Sequence, residues 1–175
     1  MLSKIRRGLD FLYDAAGVLA ALFLLAILSL IVLQMLARWT GEVFPGAPEY
    51  VGYCMATASF LAFAHALNRG AHIRVSILLN ALSDKARRVF EIWCFAVGTF
   101  LSWYFVYYAA KAVKWSIKLN DISQGTDATP LWIPQSAMVI GSVIFAICLT
   151  DSLVKLLFVR EHNIKADTVE GAGAE

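Results

Sequence analysis

The side chains best suited to redox chemistry in this chain are its three cysteines, Cys54, Cys94 and Cys148. A thiol relay needs cysteine pairs that can form disulfides, and none of the three is spaced as Cys-x-x-Cys. A haem site in a helical bundle needs histidines that face one another from different helices, and only His65 lies within an apolar stretch. We therefore interpret the cysteines as small packing residues, and we expect no cofactor, no metal site and no enzymatic activity.

Carboxylates buried in the membrane would indicate a different chemistry. A proton- or cation-coupled carrier uses them, because burying a charge in lipid is costly enough to require a function. Every Asp and Glu of this chain lies at or beyond the end of an apolar stretch. This pattern favours a partner of a transporter over a transporter. Two alternatives stay open: a self-sufficient small four-helix exporter, which would need an embedded carboxylate, and a membrane redox enzyme, which a chromophore or a reactive cysteine would reveal.

Four long apolar stretches position these residues. Hydrophobic residues make up 59% of the chain and charged residues only 16%, against about 25% charged in an ordinary soluble domain. About 20 helical residues cross the core of a bilayer, and each stretch reaches that length. We predict an all-α integral membrane protein with spans at about 15–37, 50–68, 92–110 and 131–150. The third helix should continue to about 118, within one four-helix domain over about 1–160 that is followed by a disordered cytoplasmic tail at about 161–175.

The basic residues sort between the two ends of these spans. Eleven of the 15 lysines and arginines lie in the N-terminal segment, the connection between spans two and three, and the C-terminal segment. Short connections rich in Lys and Arg remain in the cytoplasm. Both termini are therefore predicted to lie in the cytoplasm.

The connection between spans two and three carries an apolar stripe. Its apolar residues recur at the i, i+3, i+4 spacing of one helix face, and they are Val75, Leu78, Leu79, Leu82, Ala86, Val89 and Phe90. The pattern predicts an amphipathic interfacial helix at about 72–82 on the cytoplasmic side. Ser83 and Asp84 could cap a new helix that runs into span three. A solvated charged loop is the alternative.

Two charged residues flank the short connection between spans one and two. Arg38 and Glu49 could pair there and fix the first two helices, and the alternative is two independently solvated charges. Small residues also recur in two spans, where they permit close helix packing within the chain or against a partner. They are Gly52, Ala56, Ser59 and Ala62 in span two and Gly141, Ser142 and Ala146 in span four.

Several short motifs of this chain resemble a known family. Arg38 and Trp39 precede Pro48-Glu49-Tyr50 at the start of span two, the run from Ala64 to Val75 closes that span, and Pro130 to Gln135 opens span four. Together they resemble the small membrane subunit, or Q component, of TRAP (tripartite ATP-independent periplasmic) transporters, over about Leu9 to Phe158. The chain departs from the family pattern at Pro48 and Ser76, where the family often has acidic residues.

This resemblance implies a three-component uptake system of the bacterial inner membrane that ATP does not drive. A periplasmic binding protein captures an organic acid, a large membrane subunit carries it with sodium, and the small subunit binds the large one. The expected partners are these two proteins and membrane lipids, with no nucleic acid.

The resemblance and the residue patterns meet in a bracing hypothesis. The interfacial helix would brace the large subunit with a buried face of Ile73, Val75, Leu78, Leu79 and Leu82, and Arg74, Arg87 and Arg88 would contact lipid headgroups. Charged residues on the outer side could dock the binding protein: Glu42, Glu49, Lys111, Lys114, Lys118, Asp121 and Asp127. For the three lysines, ordinary snorkelling at a membrane edge is the alternative.

Overall fold

Four α-helices form the described part of the chain. The computed structural model describes residues 2–42, 44–69 and 84–158. The helices are α1 (Leu2–Thr40), α2 (Ala47–Asn68), α3 (Asp84–Leu119) and α4 (Trp132–Phe158). Each is long and apolar enough to cross a membrane, which confirms the predicted all-α architecture. The predicted interfacial helix at 72–82 and the tail at 161–175 lie outside the described residues.

Helices α1 and α3 end in the same motif, in which one residue adopts a left-handed conformation. Gly41 has φ +77° and Asn120 has φ +51°. The next residue then donates its backbone N–H to a carbonyl of the last turn, with Glu42 bonded to Ala37 at 2.9 Å and Asp121 bonded to Ser116 at 3.0 Å. This Schellman geometry satisfies carbonyls that would otherwise lack donors. Gly and Asn are the residues that best tolerate the left-handed conformation, so the sequence sets both stops.

The starts of α2 and α4 depend on proline. Gly46 caps α2 with φ +79°, and Pro48 occupies the first turn, where its missing N–H costs nothing. The N–H of Tyr50 donates to the carbonyl of Gly46 at 3.0 Å. Ahead of α4, the carbonyl of Pro130 accepts the N–H of Ile133 at 3.2 Å. Prolines therefore fix the direction in which both helices leave their loops.

The helices pack in the order α1, α2, α4, α3. Extensive contacts join α1 to α2, α2 to α4, and α4 to α3, whereas α1 touches α4 through few residues. In the most apolar window of each helix, 11% of the residues of α1 and of α3 are buried, against 28% in α2 and in α4. Helices α2 and α4 are therefore the middle pair of a row, and α1 and α3 are its outer helices.

The core of the row consists mainly of small and medium side chains. Ala64, Leu67, Cys148 and Leu149 pack with the ring of Tyr13 in one cluster. A second cluster joins Ala16 and Ala20 of α1 to Leu61 of α2. Small side chains let helix backbones approach closely, which is how helices associate where lipid removes the hydrophobic driving force.

Candidate interaction surfaces

The row has two ends that differ in their polar contacts. We call the end formed by the connection 41–46 and the loop 120–131 the hairpin end. The terminal end is the one where α1 begins and α4 finishes. The loop 120–131 is held by backbone bonds from Ser123 N–H to the Thr129 carbonyl at 2.8 Å and from Leu131 N–H to the Asp121 carbonyl at 3.0 Å. These bonds make the loop narrow and carry Asp127 to the start of α2.

Asp127 is the centre of a hydrogen-bonded cluster at the hairpin end. The Tyr53 hydroxyl of α2 donates to Asp127 Oδ2 at 3.0 Å. The hydroxyl of Thr129, then those of Ser123 and Tyr53, lower the pKa of Asp127 to about 2, against the opposing effect of partial desolvation. Hydrogen bonds to the ionised form of a carboxyl lower its pKa in this way. Asp127 therefore joins the loop before α4 to the first two turns of α2 as an anion.

Glu49 approaches the same loop from the first turn of α2. A Cβ atom placed on Gly125 would lie 2.5 Å from Glu49 Oε1 and 2.9 Å from Asp127 Oδ1, so a larger residue there would displace the two carboxyl groups. Gly46 also approaches this loop closely, because a Cβ atom there would lie 2.9 Å from the Asp127 Cβ. No group of three His, Cys, Asp or Glu side chains suited to a metal ion occurs in the described ranges. The arrangement is a junction between two loops.

Arg38 and Glu49, which the sequence suggests as an ion pair, have different surroundings. Within the described residues no ion pair joins them. Arg38 is exposed in the last turn of α1, whereas Glu49 is half-buried against Gly125. Closeness along the chain predicts the Arg38–Glu49 pair, but the loop before α4 occupies the space beside Glu49.

The three lysines of α3 lie on exposed turns at the hairpin end. Lys111, Lys114 and Lys118 are all exposed, and the Lys118 ammonium stands 5.0 Å from the centre of the Trp115 ring. Glu42 and Asp121 are exposed as well. Of the charged residues predicted at this end, the structure brings Glu49 and Asp127 together and leaves the others in solvent-accessible positions.

A second polar cluster, which the sequence reasoning missed, joins α1 to α2 at the terminal end. Asp14 Oδ1 lies 3.3 Å from His65 Nδ1 and 3.2 Å from Arg69 Nη2. His65 and Arg69 are four residues apart and so share one face of α2. Asp14 stands at the matching end of the antiparallel α1, which is a signal that could have revealed the pairing. The cluster fixes the register between α1 and α2.

The cysteines occupy three different environments. Cys148 is buried, with its Sγ atom 3.6 Å from the Ala64 carbonyl oxygen, whereas Cys54 is half-buried and Cys94 is exposed. All three are free thiols. Cys148 thus packs between α2 and α4 as predicted, while Cys94 does not contribute to the core.

Comparison with protein families decides what kind of chain this is. The family described as "Tripartite ATP-independent periplasmic transporters, DctQ component" matches residues 27–159, which include α2, α3, α4 and the last third of α1. The chain belongs to the DctQ family. This confirms the resemblance to the small membrane subunit of TRAP transporters. A search of curated proteins found no match.

A DctQ subunit is one component of a tripartite transporter, so its exposed helix faces are candidate contacts. The large exposed side chains of α1 between Val18 and Leu36 are all Val, Leu, Ile or Met. Over the corresponding part of α3 most of the large exposed side chains are aromatic. The aromatic ones are Phe90, Trp93, Phe100, Trp103, Tyr104, Phe105, Tyr107 and Tyr108, and the aliphatic ones are Val89, Val97 and Leu101. The two outer helices of this DctQ chain therefore present different chemistry to their surroundings.

Only part of the predicted brace falls on described residues. Arg87 Nε lies 3.5 Å from Glu91 Oε1, one turn further along α3, and the Glu91 side chain is only 6% exposed. Arg88 is half-buried. Ile73, Arg74, Val75, Leu78, Leu79 and Leu82 lie outside the described residues. Arg87 of this DctQ chain therefore has a protein partner at the start of α3.

Proposed function

We propose that this DctQ-family chain holds the large transport subunit at a fixed depth and tilt in the bilayer during sodium-coupled uptake of an organic acid. The row of helices is the observation that carries the proposal. Its middle pair is packed within the chain, and its outer helices have long apolar faces that no other part of residues 2–42, 44–69 and 84–158 covers. A partner that moves substrate by shifting one domain against a scaffold needs such a broad, fixed support.

The interfacial segment extends this role. An amphipathic helix at about 72–82 would lie along the membrane surface and resist tilting, with Ile73, Val75, Leu78, Leu79 and Leu82 facing the partner or the lipid and Arg74 and Arg88 at the headgroups. Arg87 has a different part in the proposal, because its pair with Glu91 supports the first turns of α3. The brace would then continue directly into the third span.

The hairpin end is the proposed docking surface for the periplasmic binding protein. The excess of Lys and Arg at the terminal end favours the cytoplasm for both termini, which leaves the hairpin end in the periplasm. Lys111, Lys114 and Lys118 are exposed and can steer an acidic surface toward the complex. Glu49 and Asp127 are engaged with the loop, so their contribution would be to the shape of this surface rather than to its charge.

The test is reconstitution of the large subunit and the binding protein in proteoliposomes, with and without this chain. The substrate is labelled and a sodium gradient is imposed. We expect the chain to co-purify with the large subunit, and uptake to require the chain and the gradient. Full uptake without the chain would contradict the scaffold role, and solute flux through the chain alone would favour the small-exporter alternative.

The same assay tests docking. Replacing Lys111, Lys114 and Lys118 together by Glu should raise the binding-protein concentration needed for half-maximal uptake. Replacing the exposed Arg6 and Arg7 by Glu changes a similar charge at the terminal end and serves as the control. An equal response of both variants would contradict docking at the hairpin end.

A further inference from the structure

We propose that the large membrane subunit docks on the exposed aromatic face of α3, and that the exposed face of α1 contacts lipid. We define the aromatic face as Phe100, Tyr104, Tyr107 and Tyr108. The inference rests on the proposed function, because it assigns a place to the partner that the function requires. It goes further by distinguishing two outer helices that are equally uncovered within the chain.

The aromatic face points away from the rest of the chain. Helix α3 packs on α4 at two positions. A Cβ atom on Gly98 would be in van der Waals contact with Leu149. The Trp103 Nε1–H donates to the Thr150 hydroxyl at 3.1 Å. Phe100 lies two positions after Gly98, and Tyr104 lies two positions after Ser102. Two positions turn the helix by about 200°, so Phe100 and Tyr104 lie on the side opposite to Gly98. Their exposed fractions are 68% and 54%. Nothing in the described chain covers them.

The position of Tyr104 along α3 makes lipid a poor environment for this face. Glu91 and Lys111 are 20 residues apart, or about 30 Å at 1.5 Å per residue, which equals the thickness of a hydrocarbon core. Tyr104 lies about 20 Å from the Glu91 end and about 10 Å from the Lys111 end on the same scale. Helical side chains also lean toward the helix N-terminus, so the hydroxyl is directed away from the nearer interface.

The polar groups of the aromatic face lack enough partners among the residues that the structure describes. The rings of Tyr104 and Tyr108 are tilted by 49° with their centroids 4.7 Å apart, so the two side chains lie next to each other on this face. A bond between two hydroxyls uses one of the two protons, so one donor still needs an acceptor. Leaving such a donor in hydrocarbon is costly. The indole of the neighbouring Trp103 has its partner in Thr150, which shows how this part of the helix satisfies a polar group when protein is beside it.

The face of α1 has no such requirement. Its exposed side chains Leu25 and Leu28 are 59% and 58% exposed and contain no polar atom. The Ser29 hydroxyl, on the same stretch, donates to the Leu25 carbonyl at 2.9 Å. Acyl chains can cover this surface without loss of a hydrogen bond. The contrast therefore assigns acceptor-bearing protein to α3, and under the proposed function the large membrane subunit is that protein.

Site-specific photocrosslinking tests the assignment in the intact complex. A benzophenone amino acid is placed at Phe100 or Tyr104 on α3, and at Leu25 or Leu28 on α1 as matched controls of similar exposure. We expect several-fold more crosslinking to the large subunit from the α3 positions. Stronger crosslinking from α1, crosslinking from α3 to a second copy of this chain, or no crosslinking to the large subunit from α3 would each overturn the proposal.

A conservative substitution adds a second readout. Tyr104→Phe with Tyr108→Phe keeps both rings and removes both hydroxyls, so the isolated chain should fold normally. Retention of the large subunit on a column carrying this chain should fall about five- to tenfold, which corresponds to one lost hydrogen bond. Tyr50→Phe, on an exposed tyrosine of α2, is the control and should bind as wild type. Unchanged retention of the double variant would contradict the hydrogen-bonding role of this face.

These experiments separate the inference from the function on which it rests. If wild-type chain and large subunit co-purify and uptake requires the chain, but crosslinks arise from α1, the scaffold role survives and the aromatic face is wrong. If the two proteins do not co-purify, both proposals fail.

Discussion

The middle and outer helices of the row differ in what covers them. Gly141 of α4 meets α2 so closely that a Cβ atom there would lie 2.7 Å from the Phe60 carbonyl carbon and 2.9 Å from its oxygen. On the outer helices, by contrast, large side chains such as Leu28 and Phe100 project into the surroundings. The tight packing within the chain therefore lies in the middle pair, and the outer helices keep exposed faces that lipid or partners can cover.

This difference resolves what the small residues of the spans do. Gly141, Ser142 and Ala146 of α4 are buried and serve packing within the chain. On α2, Gly52 and Ser59 are exposed, whereas Ala62 packs against the cluster of Ala16, Ala20 and Leu61. Small residues permit close approach wherever they lie, but only the position of the neighbouring helix decides whether the approach occurs.

The largest effect on the middle pair should come from Gly141→Ala. The added methyl group meets backbone atoms of Phe60, which cannot rotate away, so α2 and α4 must separate. Overpacking of this kind costs about 1–3 kcal/mol. We expect a lower unfolding midpoint in a denaturing-detergent titration, and weaker contact between the Phe60 and Phe105 rings, whose centroids are 5.8 Å apart.

Gly52→Ala is the matched control for that substitution. A Cβ at Gly52 has no neighbour within 4 Å, and alanine favours a helix over glycine by about 1 kcal/mol. The control should therefore be as stable as wild type or more stable. Equal destabilisation by both substitutions would show that the middle pair is not the contact that holds the row together.

A smaller effect is expected where the outer helix α1 connects to the middle pair. Gly41 and Gly46 both have positive φ, at +77° and +79°. Replacing either by alanine strains the backbone, but only at Gly46 does the Cβ also meet Asp127, at 2.9 Å from its Cβ. Gly46→Ala should therefore be less stable than Gly41→Ala by about 1 kcal/mol in the same titration. Equal losses would indicate that strain alone matters and that the loop yields to the methyl group.

Much of this fold can be predicted from the sequence because the bilayer imposes it. Four apolar stretches of spanning length must become helices, since lipid offers no other partner for the backbone. Glycine after Thr40 and asparagine after Leu119 set two of the helix stops, and the family motifs around Pro48 and Pro130 point to the helix starts.

The neighbours across the row could not be derived in the same way. The hydropathy of the stretches does not indicate which helix is central, because α1 is the most hydrophobic of the four and is among the least buried. Closeness along the chain predicts that Glu49 pairs with Arg38. In the structure, the narrow loop between α3 and α4 places Asp127 and Gly125 beside Glu49. The position of this loop depends on how the four helices pack together, and no local sequence pattern encodes that packing.

The smallest expected effect tests how the hairpin end joins the two halves of the row. Hydrogen bonds from Thr129, Ser123 and Tyr53 lower the pKa of Asp127 to about 2 from its ordinary value of 3.8. A carboxyl with a lowered pKa in the folded state adds stability above its unfolded pKa, and loses it as the pH falls through the folded value. Wild type should therefore exceed Asp127→Asn in stability by a constant margin from about pH 6 down to about pH 4, and the margin should shrink between about pH 4 and about pH 2.

Asp121→Asn alters an exposed carboxyl of the same loop and should follow the wild-type profile at every pH. A margin that does not change with pH would mean that the Asp127 hydrogen bonds do not require its charge, and that the loop is held to α2 by shape alone.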